Sequence, residues 1–352
     1  MTATTDHAPA EPGHPLARFP GFDPAAPPLE IADLRVEFAG RADRPGSGSV
    51  VVDGVSYRTE PGRTLAVVGE SGCGKSLTAR AVLGILPAGA QVTGGSVRLH
   101  GIDLLALDRR SLAQIRGRHI SMVFQDALSA LNPVLPVGFQ IAEVFRAHRD
   151  LTRRQAEHEA VRMLDRVRIP EAARRAGHYP HQFSGGMRQR VMIAMALALT
   201  PEVVIADEPT TALDVTVQAQ IMELLADLQA EHAVSLVLIS HDMGIVANAA
   251  DRVVVMYAGR VAEQAPAQDL YGRPAHPYTR ALLDAIPRRG SRGRPLHVLQ
   301  GAPPDPADPQ EGCSFRPRCP LAADDCRTAP PLGAVGPLHT CACHHWKEVA
   351  GR

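Results

Sequence analysis

An eight-residue loop leaves this chain few possible architectures. Gly69, Glu70, Ser71, Gly72, Cys73, Gly74, Lys75 and Ser76 fit the pattern G-x-x-x-x-G-K-[ST]. Its glycines let backbone N–H groups curl around a phosphate, and a helix that starts at the loop points its positive end at the anion. A short apolar run over residues 64–69 precedes it and reads as a buried parallel strand. A helical pattern over residues 75–86 follows. That context separates a phosphate loop from a plain glycine turn. Lys75 is expected to reach the β- and γ-phosphates of ATP and the Ser76 hydroxyl to hold Mg²⁺, with Leu77 continuing the contact set into the helix. The only other lysine in the chain is Lys347, so positive charge is otherwise carried by arginine.

Residues 203–207 form a second apolar run, which ends in Asp207 and Glu208. A strand of this kind delivers carboxylates to the C-terminal edge of a parallel sheet, where open α/β folds bind ligands. Asp207 is expected to hold Mg²⁺ through water, and Glu208 to polarise the attacking water. Strand and helix patterns alternate from Met187 to residue 257, which implies a parallel sheet covered on both faces. Upstream, residues 29–38 and 50–59 read as a hairpin with a long Gly/Pro/Arg-rich connection. Charge-rich helical patterns punctuated by Pro133, Pro136, Pro170 and Pro180 mark a helical insertion. The expected organisation is a flexible tail over residues 1–28, an ATPase domain over 29–265 with a helical subdomain at about 126–187, and a C-terminal extension over 266–352.

Composition removes several classes of function. Lys plus Arg and Asp plus Glu both number 37, so no net charge draws the chain to nucleic acid or to an anionic membrane. No apolar run approaches the roughly 20 residues that cross a bilayer. Residues 1–28 lack the basic start and apolar stretch of a signal peptide. A cytosolic chain with reduced thiols is therefore expected.

Between the two halves of the nucleotide site lies Phe183-Ser-Gly-Gly-Met-Arg-Gln-Arg190, which resembles the signature sequence of ABC-transporter ATPases. The order of phosphate loop, Gln125, signature, acidic strand, Asp214 and His241 is similar to that family throughout. The resemblance implies a P-loop NTPase of the α/β class: a RecA-like parallel sheet, an antiparallel β-subdomain and an inserted α-helical subdomain. By the same resemblance, Phe38 stacks on adenine, Gln125 reaches the metal and water, His241 contacts the γ-phosphate, and Asp214 links two subunits. Ser184 reads as an N-cap which, with Gly185 and Gly186, leaves bare N–H groups at a helix start, a second anion site. It makes sense if it grips the γ-phosphate held by another ATPase subunit.

Cys313, Cys319, Cys326, Cys341 and Cys343 cluster among Pro and Arg with little apolar sequence. Reduced thiols in such a segment suggest metal ligands, and four thiolates suit zinc or an iron–sulfur cluster. Gly312-Cys-Ser-Phe-Arg-Pro-Arg-Cys319-Pro, with the upstream segment from His276 to Leu283, resembles the tail of ATPases from dipeptide and oligopeptide importers. That resemblance implies a 4Fe-4S cluster on Cys313, Cys319, Cys326 and Cys343, with Cys341 as an extra thiol able to substitute. It further implies two transmembrane permease subunits, a second and different ATPase subunit, an extracytoplasmic solute-binding protein, and a place on the cytoplasmic face of the membrane. Importers of nickel, glutathione and some sugars use related ATPases. Soluble ABC ATPases acting on DNA or ribosomes share the engine, but one cassette without net positive charge or sustained heptads argues against them.

Overall fold

The computed structural model describes residues 13–39, 48–286, 299–307 and 310–351. Two sheets organise it. The first is antiparallel, in the order β2-β1-β4-β5, built from β1 (Leu29–Phe38), β2 (Ser49–Arg58), β4 (Ala90–Leu99) and β5 (Ile102–Asp103). The second has eight strands in the order β11-β12-β10-β9-β3-β8-β7-β6. Its parallel part contains β9 (Arg252–Tyr257), β3 (Thr64–Val68), β8 (Ser235–Ser240), β7 (Val203–Asp207) and β6 (Ile120–Val123). Its antiparallel part contains β10 (Arg260–Pro266), β12 (His339–Cys341) and β11 (Gly333–Gly336).

Alternation explains how one sheet serves two cores. Successive side chains on a strand point to opposite faces. Leu65 and Val67 of β3 join a core shared with the antiparallel sheet, while Ala66 and Val68 join a core shared with the helical subdomain. Burial on both faces is why these strands read as continuous apolar runs. The second core is closed by the helices Val137–His148, Arg153–Arg166, Gly185–Leu197 and Val215–His232. Arg153–Arg166 opens with a capping box, in which Thr152 and Gln155 satisfy each other's backbone N–H groups.

The sequence reading needs two amendments. Residues 1–12 of the expected tail lie outside the described residues. From Gly13 onward, however, the chain is packed: Pro15–Arg18 forms a 3₁₀ turn, and Leu16 and Phe19 are buried in the first core. Two apolar side chains in a Pro/Ala-rich stretch carry no periodicity, so their burial leaves no sequence pattern. The extension also continues the main sheet, with β12 pairing to β10 through Glu263↔Cys341 and Gln264↔Thr340. No helix among the described residues is long and apolar enough to cross a membrane.

Candidate functional site

The phosphate loop joins β3 to the helix Lys75–Val82 at the C-terminal end of the parallel strands. Two of its glycines are sterically required. At Gly69 (φ 153°) a Cβ would stand 2.2 Å from the Met256 carbonyl oxygen, and at Gly74 (φ 99°) 2.9 Å from that of Val51. Gly74 caps the helix with no side-chain hydrogen bond. The first N–H groups of that helix therefore have no side-chain cap from Gly74 to occupy them. Lys75 is 5 % exposed, and its Nζ donates to the carbonyls of Gly69 (2.7 Å) and Glu70 (2.9 Å). Cys73 is buried beneath the loop, which raises its thiol pKa.

Ser76 Oγ donates to Asp207 Oδ1 at 2.8 Å, bringing together the two residues expected to hold Mg²⁺. Asp207 ends β7 and is 2 % exposed. Burial pushes its carboxyl up, and the adjacent Glu208 adds to the shift, while the Ser76 hydrogen bond opposes it. Glu208 sits just beyond the strand at φ 46°, a left-handed conformation that turns its side chain out of the strand alternation. Gln125 Nε2 (2.8 Å) and Thr211 Oγ1 (2.9 Å) donate to Glu208 Oε2, and His241 Nδ1 lies 3.3 Å from Oε1. Gln125 follows β6 and His241 follows β8, so three strand ends converge on one carboxylate. Thr211 was not among the residues singled out from sequence. Its position three residues after Glu208 in a turn is the available signal.

Ser184, Gly185 and Gly186 lie apart from this group. Ser184 caps the helix Gly185–Leu197 by accepting from Met187 N at 3.3 Å, and Ser184 and Gly185 are exposed. Asp214 caps the helix Val215–His232 by accepting from Val217 N at 3.0 Å, and is also exposed. The two caps are neighbours: a Cβ on Gly186 would stand 2.6 Å from Val217 Cγ1. Among the described residues, no hydrogen bond joins Ser184, Gly185 or Gly186 to the phosphate loop. Phe38 ends β1, half-buried and paired with Ser49 and Ala90.

In the extension, Cys313, Cys319, Cys326 and Cys343 line one small cavity with His276, Phe315 and His344. Cys341 is in β12 opposite Glu263 and does not line it. Burial raises the thiols of Cys313 and Cys319 and pushes that of Cys343 up to about 12. Zinc–thiolate bonds of about 2.3 Å put tetrahedral sulfurs roughly 3.8 Å apart. No three of the four cavity sulfurs all lie within 4.8 Å of one another; the triplet that meets that spacing among the described residues is Asp325, Cys326 and His345.

A phosphate loop, a paired Ser76–Asp207, and a glutamate held beside them at the strand ends define a P-loop ATPase. The sequence from 52 to 211 matches the family model described as ABC transporter, and 262–326 matches Oligopeptide/dipeptide transporter, C-terminal region. The oligopeptide transport ATP-binding protein OppD of Salmonella typhimurium is 48 % identical over 320 residues, covering 91 % of this chain and 94 % of that protein. OppD of Escherichia coli K12 is 46 % identical over 315 residues, covering 90 % and 92 %. Among solved structures, the ATP-binding cassette MJ0796, as a post-hydrolysis dimer bound to ADP and Pi, aligns with a TM-score of 0.61 at 26 % identity. That alignment covers 68 % of this chain and 98 % of the cassette. The chain belongs to the ATP-binding subunits of ABC transporters, in the group that carries the oligopeptide/dipeptide C-terminal region.

Proposed function

We propose that this subunit hydrolyses ATP to drive import of di- or oligopeptides, with Glu208 as the residue that activates water. The convergence of Gln125, Thr211 and His241 on the Glu208 carboxylate carries this reading. Lys75 exchanges its loop carbonyls for the β- and γ-phosphates. Ser76 and Asp207, with Gln125, hold Mg²⁺, which supplies charge neutralisation on the phosphates. Glu208 orients and polarises the attacking water while His241 contacts the γ-phosphate. Gly69 to Leu77 surround the phosphates, and Phe38 stacks on the base.

The exposed caps at Ser184 and Asp214 support a site shared between two ATPase subunits. There the bare N–H groups at Gly185 and Gly186 close over the nucleotide held by the other subunit. That partner is a second, different ATPase. The helical subdomain at about 126–187 docks the pair on two permease subunits at the cytoplasmic face, and a solute-binding protein supplies the peptide. The printed names of the OppD relatives and the match of the C-terminal region support the substrate class.

Cys313, Cys319, Cys326 and Cys343 hold a 4Fe-4S cluster, in preference to zinc. Its chemistry is thiolate ligation that ties four separated points of a weakly apolar segment together. The four thiols lining one cavity, together with the tail's likeness to the oligopeptide/dipeptide transporter C-terminal region, support this choice. Anaerobically purified protein that is brown, with iron and sulfide in stoichiometric amounts, is the expected result; colourless protein with stoichiometric zinc would reverse it. For the function as a whole, the transporter reconstituted with its binding protein should show ATPase stimulation by oligopeptides. Stimulation by nickel or glutathione instead would remove the peptide assignment.

A further inference from the structure

Glu70 places a carboxylate in the phosphate loop, beside a site built for polyanions. The structure shows how it is held. Arg318 donates from Nη1 to Glu70 Oε2 at 2.6 Å and from Nη2 to Oε1 at 2.9 Å, a two-pronged ion pair spanning 248 residues of sequence. The Arg318 side chain is only 4 % exposed. Its remaining donors are placed as well: Nη1 lies 3.2 Å from the Tyr257 hydroxyl, and Nε donates to the Gln300 carbonyl at 2.9 Å. A planar guanidinium with this many fixed partners is preorganised in a way that a lysine ammonium is not.

The backbone of Glu70 is held from the same side. Its N–H donates to the Tyr278 hydroxyl at 2.8 Å, and its carbonyl accepts from Lys75 Nζ. Tyr278, Tyr257 and Phe315 pack as a cluster with ring centroids 4.6 to 5.5 Å apart, fixing the support beneath. Arg318 and Tyr278 both come from the segment after β10. The second residue of the phosphate loop is thus gripped by its carboxylate and its amide from outside the ATPase sheet's own loops.

We propose that Arg318 is a positioning residue for nucleotide binding: it neutralises and fixes Glu70, and through it the C-terminal extension sets the affinity of the phosphate loop for ATP. This rests on the phosphate loop being the ATP site. Without Arg318, Glu70 is a free negative charge at the entrance of an anion site, and it opposes the phosphates. The proposal therefore predicts a rescue that a purely structural ion pair would not give. In the full-length chain, titration with a fluorescent ATP analogue should show about tenfold weaker binding for Arg318→Ala, and an intermediate loss for Arg318→Lys. Adding Glu70→Gln to Arg318→Ala should restore most of the affinity, because the charge that opposes phosphate is gone. In the assembled transporter, Arg318→Lys should raise KM for ATP and leave kcat at saturating ATP unchanged.

Wild-type affinity in Arg318→Lys and Arg318→Ala, or a double variant no better than Arg318→Ala, would overturn the proposal. If Arg318→Ala does not fold, Arg318→Lys and Tyr278→Phe carry the test, and unchanged KM in both is equally fatal. A wild-type chain that fails to bind ATP at all would instead reject the assignment of the site.

Discussion

Glu208 and Glu263 are both glutamates with three hydrogen-bonding or ion-pair partners, and the protein uses them in opposite ways. Glu208 is partly exposed at the strand ends, and its partners are the side chains of Gln125, Thr211 and His241. Glu263 is fully buried in β10, and it accepts from the backbone N–H groups of Ala275 (2.7 Å) and His276 (2.9 Å) and pairs with His339 Nε2 at 2.7 Å. Side-chain partners on the loops that follow separate strands can rearrange when a substrate arrives. Backbone donors cannot move without moving the fold. The comparison teaches that a carboxylate's neighbours, more than its count of partners, tell chemistry from architecture.

Substitution at these two positions should separate the two uses. Glu208→Gln should lower ATP turnover by about 10² to 10³-fold while ATP binding and the melting temperature stay near wild type. Wild-type turnover in that variant would take Glu208 out of its role. Glu263→Ala should do the reverse, costing about 3 kcal/mol by stranding two buried amide donors and His339. Chemical denaturation reads that loss, and unchanged stability would show that the buried hydrogen bonds are not holding the extension. Thr152→Ala, which removes one half of the capping box that opens the helix Arg153–Arg166, should cost only about 1 kcal/mol with turnover unaffected.

A smaller effect, read through pH, tests a third carboxylate. Glu202 is partly desolvated, which by itself would raise its pKa, but hydrogen bonds and charge from His100 and His119 overcome this and hold it at about 2. His14 Nε2 also faces it at 3.8 Å. A depressed carboxyl contributes stability above its ordinary value of 4.5 and loses it as pH falls toward 2. The melting temperature should therefore drop across that window, and Glu202→Gln should flatten the drop. An equal slope in the variant would assign the acid sensitivity to other groups.

The nucleotide edge was legible because its information is local. Gly69 to Ser76, Asp207-Glu208 and the caps at Ser184 and Asp214 each declare themselves within a few residues, through spacing that backbone geometry requires. The strands that carry them were legible too, as apolar runs buried on both faces. β4 was not, because Gly94 and Gly95 interrupt its alternation where the register with β1 shifts. At Gly95 a Cβ would stand 2.4 Å from the Asp33 carbonyl, so the irregularity is a tight approach of two backbones. The hold of Arg318 on Glu70 was equally hidden, since nothing near either residue points to a partner 248 positions away. Whether Cys341 or Cys343 turns toward the other thiols depended on where β12 ends, a fact of strand pairing beyond the reach of spacing.

The strand pairing between β10 and β12 also bears on how such proteins can be recombined. The oligopeptide/dipeptide C-terminal region begins at residue 262, inside β10, which runs from Arg260 to Pro266. A crossover placed at that boundary would join half of one parent's β9–β10 hairpin to half of another's, so that Glu263 and Gln264 of one parent pair with Val255 and Val254 of the other. Chimeras between related subunits should therefore exchange β9, β10 and everything after them as one inherited block. The part that looks like an accessory in sequence is, for a gene splicer, inseparable from the sheet that binds the nucleotide.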